Sequence, residues 1–137
     1  MKIRHVRLSI LAVVSASCAL LWAIPAVAHP AKKASTITVT AGKPGEFGFI
    51  VSPKAVKHGA VTFVVTNKGA LPHTFQICSS NKGTTAANTC TGKATPQINV
   101  GKSVSLTYTF AKAGKYEYLC TIPGHAAGGM KGVLTVT

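Results

Sequence analysis

Four side chains that bind soft or borderline metal ions lie in two short segments rich in glycine and proline. Cys120, His125 and Met130 follow one another at intervals of five residues, and His73 lies upstream, directly after Pro72. A thiolate, two imidazoles and a weak axial thioether are the donor set of a blue-copper electron-transfer site. The spacing therefore predicts one copper ion held by His73, Cys120, His125 and Met130.

These segments resemble the ligand loops of the plastocyanin/azurin family of small cupredoxins. The resemblance covers about residues 35–137. It implies an all-β, single-domain Greek-key sandwich that carries single electrons by cycling between Cu(II) and Cu(I). It also implies that His73, Cys120 and His125 are the equatorial ligands and that Met130 is the axial one. The loop from Cys120 to Met130 is longer than in plant plastocyanins and looks more like the loops of azurin-like and rusticyanin-like proteins.

Residues next to the ligands are expected to fix the two loops. The position after the upstream histidine is often asparagine in this family, where it joins the two ligand loops. Here it is Thr74, whose hydroxyl could make a similar hydrogen bond and so tune the reduction potential. Pro72 is expected to stiffen the same loop.

The resemblance further implies a contact surface for redox partners around His125, whose ring edge should face solvent. An uncharged apolar patch suits brief docking because it permits close approach without strong retention. The residues predicted to form this patch are Leu71, Pro72, Ile122, Pro123, Ala126 and Ala127.

The N-terminal segment has the pattern of a secretory signal peptide. Basic residues at positions 2, 4 and 7 precede an apolar run from Leu8 to Ile24, and a small-residue A-x-A site ends at Ala28. A membrane anchor is the rival interpretation, but the run falls short of the roughly 20 apolar residues that a span needs. A lipoprotein anchor at Cys18 lacks the usual bulky aliphatic residue before it. We therefore expect cleavage after residue 28, a periplasmic or secreted protein and no transmembrane span in the mature chain.

The mature chain would be one basic domain. Its 109 residues comprise a flexible tail at 29–34 and a cupredoxin domain at 35–137. Cleavage leaves twelve lysines against two glutamates, a net charge of +10. The lysines are scattered and no arginine follows Arg7, which argues against nucleic-acid binding. We expect a monomer that meets redox proteins with an acidic docking surface, or an anionic membrane surface.

The scarcity of carboxylates argues against an enzyme. Glu46 and Glu117 are the chain's only acidic residues, and each lies in a separate strand-like run, where we expect it on a solvated face. The chain therefore has very little material for the acid–base pairs that hydrolases use. Copper oxidases and nitrite reductases of related fold need more histidines than the four that would remain after cleavage.

Alternating apolar and polar residues predict seven short strands and no substantial helix. Seven strands bounded by Gly, Pro and Asn turns are typical of a sandwich or barrel. The predicted strands are residues 35–40, 46–51, 61–67, 73–78, 103–110, 115–120 and 132–136.

The region 79–97 is polar and predicts a long surface loop. A loop of this length calls for a restraint, and a disulfide between Cys78 and Cys90 across it would contribute about 3 kcal/mol. Three pairings are open among Cys78, Cys90 and Cys120. The ligand context of Cys120 favours it as the free thiol, and the alternative is an inert buried or paired cysteine.

Two other functions fit parts of the sequence. A copper-binding or delivery protein could hold the metal without redox turnover, and a basic binding module could hold no metal at all. His29 would become the N-terminal residue and could bind a second copper, although the following Pro30 and polar tail suggest disorder.

Overall fold

The computed structural model describes residues 34–137. The expected signal peptide, Cys18, His29 and nearly all of the expected tail lie outside the described residues. The interpretations that depend on them stay predictions.

Two β-sheets account for all the regular structure among the described residues. One sheet has the strand order β2-β1-β4-β7 and the other has the order β3-β9-β8-β5-β6. Between residues 34 and 137 no helix is long and apolar enough to cross a membrane. The strands are β1 (Ser35–Ala41), β2 (Phe49–Ser52), β3 (Ala55–Val56), β4 (Gly59–Asn67), β5 (Gln76–Cys78), β6 (Gly92–Ala94), β7 (Ser103–Phe110), β8 (Gly114–Leu119) and β9 (Lys131–Val136).

Period-two alternation explains why the strands pack as they do. In β1, Ile37 and Val39 are fully buried while the threonines between and beside them are less so, and β4 repeats the pattern with Val61, Phe63 and Val65. The two sheets meet over these side chains and over an aromatic group that includes Phe63, Phe75, Phe110, Tyr116 and Tyr118. The predicted all-β sandwich is confirmed.

The predicted strands agree with the structure to within a few residues, and two short strands were missed. The strand predicted to begin at Glu46 begins at Phe49, because residues 42–48 form a turn stabilised by a hydrogen bond from the Gly42 amide to the Gly48 carbonyl. The strand predicted to begin at His73 begins at Gln76. The missed strands are β3, of two residues, and β6.

The region 79–97 is only partly the loop that its composition predicted. Its second half forms β6, which pairs with β5. The pairing continues past the strand, since the Thr95 amide donates to the Phe75 carbonyl and the Ile98 amide donates to the His73 carbonyl. These hydrogen bonds support the backbone on which His73 lies.

The predicted disulfide between Cys78 and Cys90 is present and closes the first half of this region. It joins the end of β5 to the loop that precedes β6. Cys120 is left as a free, buried cysteine within residues 34–137.

Replacing both Cys78 and Cys90 by alanine should lower the free energy of unfolding by about 2 to 4 kcal/mol, because the bridge no longer restricts the unfolded chain. Denaturant unfolding of the metal-free protein measures this loss. The optical spectrum of the copper-loaded variant should be largely unchanged. Unchanged stability together with loss of the spectrum would show that these cysteines were assigned wrongly.

Candidate metal centre

His73, Cys120 and His125 converge at one end of the sandwich. Their donor atoms all lie within 4.8 Å of one another, and all three side chains are buried. Nδ1 of His73 is 3.3 Å from Nδ1 of His125, which in turn is 3.6 Å from Sγ of Cys120. Three residues separated by up to 52 positions are thus held within the reach of a single ion.

Met130 belongs to the same buried group. It is fully buried and packs with Cys120 and Ala41 at the end of the sandwich. The Cys120 amide donates to the Met130 carbonyl, and the Met130 amide donates to the His125 carbonyl. One hydrogen bond therefore joins the two ends of the loop, and the other joins its C-terminal end to His125 at its centre. Both limit how far the three donor residues can move apart.

The loop before His73 is organised by a fully buried asparagine. The Asn67 side-chain amide donates to the carbonyl oxygens of Leu71 and Ile98 at 2.8 and 2.9 Å, and its Oδ1 accepts the Gly69 amide. The His73 amide donates to the Ile98 carbonyl. Asn67 thereby fixes the backbone from which His73 enters the site.

Thr74 joins the two ligand loops, as its position next to His73 predicted. Its Oγ1 accepts the Thr121 amide at 2.7 Å and lies 2.8 Å from the Thr121 hydroxyl oxygen. Its backbone amide points at Sγ of Cys120 at 3.4 Å, and its Oγ1 lies 3.5 Å from the same sulfur. The Thr74 hydroxyl thus makes the link between the two ligand loops that was expected of an asparagine at this position.

The other ring nitrogen of His73 contacts Glu46. Nε2 lies 2.9 Å from Oε1 of the carboxylate. A carboxylate can only accept this hydrogen bond, so Nε2 must carry the proton. In a neutral imidazole Nδ1 then has a free lone pair, and that nitrogen faces His125 in the cluster.

The electrostatic surroundings favour a neutral ring at His125 and an ionised carboxylate at Glu46. Burial lowers the pKa of His125 from its ordinary value, nearby His73 acts in the same direction, and Glu46 opposes them. Hydrogen bonds from the amides of Ala70 and Leu71 lower the pKa of Glu46. Neutral imidazole is the form that binds metal ions.

The donor set fits copper and does not fit hard cations such as calcium and magnesium. Two imidazoles and one thiolate with a thioether nearby suit copper, whereas calcium and magnesium prefer oxygen donors. The only carboxylate that contacts these four residues binds a ring nitrogen. His73, Cys120, His125 and Met130 would hold the ion, and a bound copper would supply a one-electron couple.

The predicted apolar patch is present in part. Three of its residues, Leu71, Pro123 and Ala127, are exposed. Pro72 and Ile122 are half-buried. Ala126 is not part of the surface, because it is only 3% exposed and packs against Cys78 and Leu119.

His125 offers less surface than expected, since it is only 8% exposed. Phe47 rests against it, with ring centroids 4.9 Å apart, and is itself 42% exposed. Phe47 is therefore an apolar surface residue beside the site that sequence reasoning missed.

Both glutamates differ from the prediction of solvated strand faces. Glu46 lies in the β1–β2 turn and is bound to His73. Glu117 lies in β8 and is only 4% exposed, and Gly83 lies close against its backbone. Burial raises its pKa. For Glu46 the sequence offered one signal, a lone carboxylate in a Gly/Pro-rich turn, but nothing that paired it with His73.

Comparison with known proteins identifies a family. Residues 34–137 match the family described as copper binding proteins, plastocyanin/azurin family. Auracyanin-B of Chloroflexus aurantiacus is 51% identical over 43 residues, 31% of this chain and 18% of that protein. The copper-resistant cuproprotein CopI of Rubrivivax gelatinosus is 34% identical over 89 residues, 56% of this chain and 51% of that protein. The chain thus matches about half or less of the length of these curated relatives.

Solved structures show the same architecture. A dithionite-reduced auracyanin from the photosynthetic bacterium Roseiflexus castenholzii aligns with 29% identity and a TM-score of 0.59, covering 77% of this chain and 99% of that one. Rusticyanin from Thiobacillus ferrooxidans aligns with 31% identity and a TM-score of 0.55, covering 78% and 79%.

Replacing Thr74 by valine should lower the free energy of unfolding of the metal-free protein by about 1 to 2 kcal/mol, because the Thr121 amide loses its acceptor. Denaturant unfolding measures the change. Thr62→Val is the matched control, since it removes a hydroxyl from the exposed Thr62–Thr107 pair and should have little effect. Equal stability of the two variants would contradict the bridging role of Thr74.

Proposed function

The chain belongs to the plastocyanin/azurin family of copper-binding proteins, and from this premise we propose that it is a periplasmic or secreted carrier of single electrons between redox proteins. Cupredoxins of this kind are blue copper electron carriers. The observation that carries the proposal is the buried cluster of His73, Cys120 and His125, in which three donor atoms lie within 4.8 Å of one another.

A preformed site suits electron transfer. Cu(II) and Cu(I) prefer different geometries, so a carrier that exchanges electrons quickly needs ligands that move little between the two states. Here the loop from Cys120 to Met130 is closed by backbone hydrogen bonds, and Thr74 ties it to the His73 loop. The surrounding protein opposes rearrangement on either side of the redox cycle.

We further propose that the protein works in an oxidising compartment. The bond between Cys78 and Cys90 is of a kind that persists outside the cytosol. The signal-peptide pattern of residues 1–28 favours the same location.

We propose that the protein transfers electrons without converting a substrate. The described residues contain one group of side chains able to hold a metal, and His58, the third histidine among them, lies near the carbonyl of Thr137 instead. Among residues 34–137, the only carboxylate paired with an imidazole is Glu46, and its partner His73 is a candidate copper ligand.

The surface suits a partner with an acidic docking face. Nine of the ten lysines in the described part of the chain are exposed, and none there lies within ion-pair distance of a carboxylate. Their charge is therefore available to attract an acidic partner over a distance. Close contact would fall on the uncharged surface of Phe47, Leu71, Ile122, Pro123 and Ala127.

A second candidate function is copper handling without redox turnover. The similarity to CopI proteins, named copper-resistant cuproproteins, favours it. The two functions make different demands on the same site: a carrier should retain copper through reduction and reoxidation, whereas a delivery protein should release it to an acceptor.

Replacing Cys120 by serine should abolish intense blue absorption while the sandwich stays folded, because that colour arises from sulfur-to-copper charge transfer. Met130→Leu is the paired variant: it should keep the colour and raise the reduction potential, since it removes only a weak axial donor that favours Cu(II). Optical titration with copper and voltammetry make these measurements. A Cys120→Ser protein that stays intensely blue would rule out a type 1 site.

The rate of electron transfer with an acidic redox protein should fall steeply as salt is added. Raising the ionic strength from 0.1 M to 1 M shortens the screening length from about 10 Å to about 3 Å, which weakens long-range attraction. Stopped-flow reduction across a salt series measures the effect, and a basic redox protein should show the opposite trend. Rates with the physiological partner that do not depend on salt would mean that the lysines do not steer docking.

A further inference from the structure

The β1–β2 turn, residues 42–48, contacts both candidate histidine ligands through adjacent residues. Glu46 accepts a hydrogen bond from Nε2 of His73, and Phe47 packs on the ring of His125. We infer that Glu46 is a positioning residue for the copper site: it fixes the ring and tautomer of His73 and stabilises Cu(II) relative to Cu(I). The inference rests on the proposed function in that it takes His73 as a copper ligand.

The carboxylate is itself held in place from the loop that leads to His73. Oε2 of Glu46 accepts the Ala70 amide at 2.9 Å, and Oε1 accepts the Leu71 amide at 2.8 Å. Oε1 also receives the His73 ring proton. One carboxylate therefore clamps the backbone before the ligand and the ligand ring together.

Glu46 stays in contact with solvent while it makes these hydrogen bonds. Its side chain is 29% exposed, whereas His73 is completely buried. The charge thus keeps contact with solvent on one side and acts on the buried imidazole on the other. His73 has no other partner at Nε2 among the described residues.

Two glycines make room for this contact. A Cβ at Gly69 would lie 2.5 Å from Oε1 of Glu46 and 2.8 Å from Nε2 of His73. A Cβ at Gly42, whose φ is +76°, would collide with the backbone of Gly69. The turn and the His73 loop can therefore approach closely only because neither position bears a side chain.

A carboxylate on the outer nitrogen makes an imidazole a stronger donor to a metal. Such partners of ligating histidines typically change metal affinity by about 10- to 100-fold when they are removed. The effect should be larger for Cu(II) than for Cu(I), because the more highly charged ion gains more from a stronger donor and from a nearby negative charge. The presence of Glu46 should therefore lower the reduction potential.

Glu46→Gln tests this with the size of the side chain preserved. A glutamine oxygen in the place of Oε1 can still accept the Leu71 amide, but the acceptor at Oε2 for the Ala70 amide and the negative charge are both gone. We expect Cu(II) affinity to fall about 10- to 100-fold and Cu(I) affinity to fall less. The potential should rise by about 59 mV for each tenfold difference between the two losses. The blue absorption should persist because Cys120 is unchanged.

Glu117→Gln is the matched control, because Glu117 is the chain's only other acidic residue and contacts neither histidine. It removes a carboxyl group from elsewhere in the domain without changing a partner of either histidine, so the potential should change much less. Equal shifts of potential in the two variants would mean that Glu46 acts only through its charge and not through His73, which would overturn the inference. An unchanged potential in Glu46→Gln would overturn it as well.

Nitrogen-15 NMR of the metal-free protein separates this inference from the proposed function. We expect the ring proton of His73 on Nε2, where Glu46 accepts it, and we expect Glu46→Gln to weaken that preference. A wild-type His73 with its proton on Nδ1 would overturn the inference whether or not copper binds. Failure of the wild type to bind copper would instead contradict the proposed function.

Discussion

The pairing of β5 with β8 is the constraint on which the metal centre depends. It sets Gln76 opposite Leu119, so the residues before β5 and after β8 must meet at the same end of the sheet. Thr74 there bonds to Thr121 and brings the His73 loop against Cys120. The two histidines and the cysteine come together as a consequence of strand register.

Burial of polar ligands is costly unless their hydrogen bonds are satisfied, and the site meets this cost with a small set of fixed partners. Asn67 fixes the backbone before His73, Thr74 contributes to the surroundings of the sulfur, and Glu46 binds the outer nitrogen of His73. Each partner also connects two loops. These hydrogen bonds therefore offset the desolvation of the buried ligands and also make the site rigid. Rigidity is what exchange between two copper oxidation states requires.

The sequence predicted correctly those features that depend on patterns among neighbouring residues. The spacing of Cys120, His125 and Met130 identified the ligand loop, and strict alternation gave β7 its observed bounds, Ser103–Phe110. It failed where tertiary neighbours decide. Glu46 was expected in a strand because nothing in the neighbouring sequence reveals that its turn folds over His73. Ala126 was expected at the surface, but it packs against Cys78 and Leu119, which are distant or separated from it in the sequence.

His73, Cys120, His125 and Met130 together should form one blue-copper site. Titrating the purified metal-free chain with copper, and following absorption and electron paramagnetic resonance, tests it most directly. The structure predicts saturation at one copper per chain, with intense blue absorption and the small copper hyperfine splitting of a thiolate-bound Cu(II). A pale complex with ordinary hyperfine splitting, or copper binding without a fixed stoichiometry, would contradict it.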